Sequence, residues 1–468
     1  MATGTTVGTS TNTNPLYFTA QSRGPYHING RYYLIWFDGV NIVWSHSTDL
    51  VSWAEKQTAL PDTSSIRYAV VCDGGNLHFI YAPTTSALYY KKGTPDASGA
   101  ISFGAERLVI ATTNIGTPVV NISSDGHLFA TYMSGPSSTY PSIIKNADTI
   151  AQDTWTTAAN FPAQLASASY NLAILAPMAD GGMYVISAST SRTSKFRTCS
   201  STGTLGTEVD ATIGNLSAYP SLMMIVDGSI LHLAYVKATT FNLVIRDRAA
   251  DGTWGPEVVI QETTTSNTVP TLILDPVTHD YYVVWTNKPT DQHIFSRKCV
   301  GGTIWDDVVD WLDESSDGGI TSTNIVSPPI AQNWNLLVAY KTRTSSPYNV
   351  KIAALQLGRV VEFTVRDSVH ITDRATVAAI RPFTVTDELH VDDRVARIRS
   401  IPMSKMRPVS GRIVARAPGG RITGRLGGGE PIRGKLGSKP ITGRLGGGDP
   451  IIARPQGGKI TRDRRRRK

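Results

Sequence analysis

The sequence of 468 residues predicts an all-β chain: a β-propeller of about seven blades, then a small repeated β segment and a basic, glycine-rich repeat tail. Three observations predict it. A hairpin pattern recurs seven times, a 20-residue unit is repeated in tandem near residue 380, and positive charge is concentrated at the C-terminus.

The hairpin pattern comes first because it sets the fold. A short apolar strand leads into a turn rich in Asn, Asp and Gly, and then into a strand with an aromatic near its end. The copies read NGRYYLIW, DGGNLHFIY, SDGHLFATY, DGGMYVIS, VDGSILHLAY, THDYYVVW and QNWNLLVAY. Their marker residues are Trp36, Tyr81, Tyr132, Tyr235, Trp285 and Tyr340, with Ala188 in the degenerate fourth copy. These lie 45, 51, 56, 47, 50 and 55 residues apart, close to the span of one four-stranded blade. Asn-Gly and Asp-Gly supply the positive φ of a tight hairpin, and the flanking residues alternate with period two rather than 3.6.

A third strand follows most copies, as in NIVWSHS, ALYYKKG, NLVIRDR and HIFSRKC. Next comes an aromatic expected to open a fourth strand, at Trp53, Phe103, Trp155, Trp254 and Trp305. The seventh copy stops after its third strand, and residues before Gly24 are expected to close the ring and remove its open edges. The domain reading is therefore an N-terminal arm over 1–20, a propeller over 21–358, tandem β repeats over 359–400 and a basic tail over 401–468.

One turn carries a resemblance. Ser47-Thr48-Asp49-Leu50-Val51-Ser52-Trp53 is similar to the S-x-D-x-x-x-W turn of Asp-box propellers, found in sialidases, other glycoside hydrolases and phage-encoded virion proteins. Fainter echoes stand at Asp153-Thr154-Trp155 and Asp251-Gly252-Thr253-Trp254. The resemblance spans about residues 20–358 and implies that Ser47, Asp49 and Trp53 stabilise the fold and take no part in catalysis.

Composition and spacing limit the chemistry. Glycoside hydrolysis asks for two carboxylates facing one sugar, yet the expected inner strands PYHIN, RYAVV, PVVNI, NLAILA, YPSLMMI, VPTLILD and VSPPIA hold almost no acid. Asp73 and Asp275 stand at strand ends, where turn chemistry accounts for them. Only Arg67 lies on an inner strand, against the three arginines of a sialidase-like carboxylate clamp. Asn14-Pro15 stands where related hydrolases carry Asp-Pro. Phosphate loops, nucleophile elbows and metal-spaced His/Cys clusters are lacking in the sequence. His78, His127 and His232 read as hydrogen-bonded structural histidines. The expectation is a chain that is not an enzyme and uses no metal or cofactor.

Cys72, Cys199 and Cys299 are widely spaced and read as reduced thiols. No signal-like segment opens the chain and no apolar run is long enough to span a bilayer, so membrane insertion is not expected. These features point to folding in a reducing cytoplasm.

Beyond Gly358, two copies of a 20-residue unit begin at Phe363 and Phe383, and their alternation reads as paired strands. In their D-x-x-H-x-x-D pattern, His370 and His390 fall on the opposite strand face from the aspartates, which argues against a metal site. The tail that follows repeats RITGRLGGGE, PIRGKLGSK, PITGRLGGGD and PIIARPQGGK. Residues 401–468 hold 18 Lys+Arg against 3 Asp+Glu, a net +15 within a whole-chain +8, which leaves residues 1–400 at −7. The residues expected to meet an acidic partner are Arg412, Arg416, Arg421, Arg425, Arg433, Lys435, Arg444, Arg462, Arg464, Arg465, Arg466, Arg467 and Lys468. Packaged DNA or an acidic protein surface fits this charge.

The functional expectation is a non-enzymatic bacteriophage virion protein of the tail, fibre or neck, oligomeric in the particle, folded in the host cytoplasm and fastened to other virion proteins by its C-terminus. In this reading the propeller is a platform for host attachment, through a surface glycan. The alternative is a glycan-binding or glycan-cleaving propeller.

Overall fold

The computed structural model describes residues 3–16, 24–61, 63, 67–135, 140–166, 170–189, 191–217, 221–264, 268–286 and 290–357, together with six strands between 411 and 462. They divide into two compact units, Met1–Gln356 and Leu357–Lys468.

The first unit is a seven-bladed β-propeller. Six blades are antiparallel sheets whose strands follow chain order from the inner strand outward, interrupted only in blade 6, where Thr290–Asp291 leaves the sheet to pair with Ile320 and Thr321 of blade 7. Their inner strands are Tyr26–Ile28, Tyr68–Cys72, Val119–Ile122, Leu172–Pro177, Leu222–Asp227 and Thr271–Leu274. Arg67 thus sits one residue before its expected strand. In blade 7 the inner strand is Ile320–Val326, so VSPPIA shares only Val326 with it, although Ile330 bridges Leu274 in the parallel sense.

Blade 7 takes its outer strand from the other end of the chain. Thr5–Ser10 pairs antiparallel with Tyr348–Gln356, Thr5 opposite Ile352 and Ser10 opposite Tyr348. Two glycines permit the fit: a Cβ at Gly8 would lie 2.6 Å from the Trp36 ring, and one at Gly4 would collide with the Tyr340 hydroxyl. The arm then runs onto blade 1, where Thr11 N–H donates to Asp38 O and Phe37 N–H to Pro15 O, both at 2.9 Å.

The marker residues of the repeat are the core. Trp36, Trp285, Tyr235, Tyr340 and Ala188 are fully buried, and Tyr81 and Tyr132 nearly so. Burying each large apolar side chain is worth about 1.5–3 kcal/mol, which is why the repeat keeps an aromatic there. The fourth-strand aromatics are less uniform than expected. Trp254 opens the outer strand of blade 5, Trp254–Gln261. Trp53 and Trp155 precede theirs, while Phe103 and Trp305 sit on the extra rungs Ile101–Phe103 and Ile304–Trp305. Their common role is packing: Trp155 lies against Tyr90 of the preceding blade, and Trp254 against Phe196.

In the second unit, Gly411–Ala417 pairs with Gly420–Leu426 and Pro431–Leu436 with Lys439–Arg444, both antiparallel. Ile451–Ile452 lies parallel to Pro431–Leu436. The tandem repeats within 359–400 lie outside the described residues.

Candidate functional site

The tight turn between the first two strands of blade 1 and the one that leads into the second strand of blade 7 differ in one residue that matters. Blade 1 uses Asn29-Gly30, with φ of 51° and 76°. Blade 7 uses Asn333-Trp334, with φ of 47° and 62°. Two successive positive φ values suit Asn-Gly. A tryptophan in the second place costs about 1–3 kcal/mol of backbone strain, and strain of that kind marks positions held for a purpose.

Around the half-buried Trp334 the seam between blades 7 and 1 gathers amides and rings. Asn333 Nδ2 donates to Tyr32 Oη at 3.0 Å and Asn335 Nδ2 to the same oxygen at 3.1 Å. The His27 N–H donates to Gln332 Oε1 at 3.2 Å. His27 and Tyr32 are opposite one another in the ladder, with ring centroids 4.7 Å apart. Burial holds the His27 imidazole below its ordinary pKa, so it is neutral at pH 7. The seam therefore brings aromatic rings beside neutral hydrogen-bonding groups.

Acids at the ends of inner strands are each engaged. Asp73 accepts from the Gly75 and Asn76 N–H groups and from His78. Asp227 pairs with His279 at 2.7 Å, and Asp275 accepts from Val277 N–H and Thr278 Oγ1. The histidines are engaged too. His78 lies fully buried between Asp73 and Tyr90, both at 3.0 Å, His127 Nδ1 faces the carbonyls of Asn146 and Asp148, and His232 faces Asp247 at 2.7 Å. Among the described residues, no three His, Cys, Asp or Glu side chains are placed to hold a metal ion. Burial pushes the Cys72 thiol up to about 12 and that of Cys199 up to about 11, so both are poor nucleophiles at neutral pH.

The sequence reading missed the buried carboxylate network of blade 7. Glu314, fully buried, accepts from Gly4 N–H at 2.7 Å, Tyr340 Oη at 2.6 Å and Lys351 Nζ at 2.5 Å. Lys351 also reaches Asp317 at 3.0 Å, and Asp317 accepts from Thr342 and Asn349 and pairs with Arg343. Two acids meet two bases, so the network is electrically closed and ties the N-terminal strand into blade 7. Tyr81 with Glu106, and Tyr235 with Glu257, repeat the tyrosine–carboxylate stitch in blades 2 and 5. Tyr340 was visible as a blade marker, but nothing in the spacing of Glu314 announced its partner.

The turn at Ser47 is a compact hydrogen-bonded unit. Asp49 Oδ1 accepts from Val51 N–H at 2.9 Å and Ser52 N–H at 2.7 Å, and Ser47 Oγ accepts from Leu50 N–H at 2.9 Å. These backbone donors, with the Ser47 hydroxyl, hold the Asp49 carboxyl down at about 2. Trp53 Nε1 donates to Leu50 O. Of the basic residues, Arg412, Arg416, Arg421, Arg425, Arg433, Lys435, Arg444 and Arg462 lie on strands of the second unit. Arg464, Arg465, Arg466, Arg467 and Lys468 lie outside the described residues.

No protein-family model matches the chain, and no curated protein matches it. Solved structures do. A lectin from Burkholderia pseudomallei is similar with a TM-score of 0.53 and 10% identity, over 72% of this chain and 96% of the lectin. An ulvan lyase, a polysaccharide lyase, gives 0.46 and 11% over 73% and 96% of the two chains, and the Trypanosoma rangeli sialidase 0.43 and 11% over 72% and 54%. At such identities the likeness is one of fold, and the fold is the propeller. The expectation that the chain is not an enzyme is corrected here. The similar solved structures include two named as enzymes, a polysaccharide lyase and a sialidase. Among the described residues no helix is long and apolar enough to cross a membrane.

Proposed function

We propose that the propeller recognises a glycan at the seam of blades 7 and 1. The observation that carries the reading is Trp334 in a turn position that blade 1 gives to Gly30. Stacking of a sugar ring on an indole, with neutral amides and a phenol to meet its hydroxyls, is a recurrent chemistry of ligand sites. The strain at Trp334 is then the cost of presenting that ring. The similar propeller named as a lectin supports the same class of ligand.

The test is a glycan array probed with the full chain and with Trp334→Gly, each retained glycan then being assayed for cleavage. Glycine relieves the positive φ, so the variant is expected to unfold no earlier than the parent while losing at least tenfold in affinity. Undiminished binding by the variant would remove the seam from the proposal, and an array without retained glycans would remove the ligand class. Product release from a retained glycan would extend the activity to cleavage.

A second reading places the chain in a phage virion, attached through its C-terminal repeats. It rests on the charge split between residues 1–400 and 401–468. Purified particles that contain the chain would support it, and their lacking it would reject it.

A further inference from the structure

The register of the first tail hairpin makes like-charged residues ladder partners. In the first hairpin, Arg412 is the partner of Arg425 and Arg416 the partner of Arg421, with Val414 opposite Thr423 on the rung between. The alternate rungs carry Ile413 with Gly424 and Ala415 with Ile422. One set of rungs is therefore doubly cationic at both ends, and the other is small and apolar. The second hairpin keeps its cations mostly on one set of rungs without opposing them: Arg444 is the partner of Pro431, Arg433 of Thr442 and Lys435 of Pro440, while Ile432 with Gly443, Gly434 with Ile441 and Leu436 with Lys439 occupy the other.

Like charges directly opposite in an antiparallel pair are destabilising. A ribbon that places two such pairs four residues apart gains stability when a polyanion lies along it. Opposed residues are about 5 Å apart across the ladder, and four residues span about 13 Å along it. A two-stranded ribbon of this size fits the major groove of duplex DNA, about 12 Å wide, where phosphates line both walls. Residues 401–468 contain no Phe, Trp or Tyr. That favours a duplex, whose bases are already stacked on one another, over single strands or sugars, which are held by stacking on aromatic side chains.

We propose that the C-terminal unit is a duplex DNA-binding module whose first, arginine-paired β-ribbon binds the phosphate backbone without sequence preference. The inference is independent of the glycan reading, because it concerns the other unit of the chain. The test measures binding of the full-length protein to two unrelated 30-base-pair duplexes between about 50 and 200 mM salt. Alongside it run a full-length variant with Arg412, Arg416, Arg421 and Arg425 changed to Gln, and one with the same four changed to Lys. The parent is expected to bind both duplexes equally with a steep salt dependence. The Gln variant is expected to lower the slope of log K against log salt by about 3 to 4, near 0.9 per charge removed, and the Lys variant to retain it. Equal slopes for parent and Gln variant would overturn the proposal. So would a Lys variant as weak as the Gln one, or tighter binding to single strands or to a sulfated polysaccharide than to the duplex.

Discussion

Blades 4 and 7 solve the same packing problem with different means. Blade 4 is contiguous, Leu172 to Asp210, and its marker position is Ala188, a small residue in an apolar cluster. Blade 7 must capture a strand from the far end of the chain, and its marker Tyr340 is joined to Gly4 through buried Glu314. Bringing together distant segments costs loop-closure entropy that a contiguous blade avoids. The comparison teaches that the repeat tolerates a degenerate marker where the chain itself holds the strands, and adds a charged latch where it does not.

The largest expected effect breaks that latch. Glu314→Gln leaves Lys351 in the interior without its closest counter-charge, and removing one partner of a buried pair costs about 3–5 kcal/mol. Urea unfolding should show a correspondingly lower midpoint, whereas a change below 1 kcal/mol would mean that closure does not depend on the pair. Next, Gly8→Ala forces a methyl against Trp36 and is expected to cost about 1–3 kcal/mol by overpacking. The same melts, with limited proteolysis of the N-terminal arm, would read it. A stitch within a contiguous blade should matter less: Tyr81→Phe loses one hydrogen bond to the exposed Glu106, about 0.5–1.5 kcal/mol. If it matched Glu314→Gln, the contrast between closed and contiguous blades would fail.

Acid sharpens the same contrast. Burial raises the Asp317 carboxyl, but hydrogen bonds from Thr342, Asn349 and Lys351 outweigh it and hold it well below the usual range. A carboxyl depressed by folding stabilises the native state above its unfolded value, and that share is lost as pH falls through the folded value. Stability should therefore decline below about pH 4, and Asp317→Asn should flatten that acid limb. Identical acid limbs in parent and variant would show that the network does not set it.

Much of the architecture was legible because a propeller repeats one local decision. Turn residues at Asn29-Gly30 and Asp73-Gly74-Gly75, period-two alternation and a recurring aromatic are all short-range, so seven blades could be counted from the sequence. Inner-strand positions followed wherever the hairpin was regular and failed in blade 7, where the strand sits earlier, at Ile320–Val326. The candidate site was half legible. QNWNLLVAY showed a turn, but only its φ values reveal that Trp334 fills a place suited to glycine.

The sequence by itself determined the blade count, the buried marker residue of each blade and the separation of a mildly acidic body from a cationic tail, because these depend on composition and on neighbours a few residues apart. The tertiary structure alone decided which carboxylates are structural, that Gly4 and Gly8 are needed for close approach, and that Tyr32 and Asn333 meet. Gly4 and Glu314, and Tyr32 and Asn333, lie about 300 residues apart, and Gly8 meets Trp36 only once the N-terminal strand has closed blade 7, so no local propensity encodes these contacts.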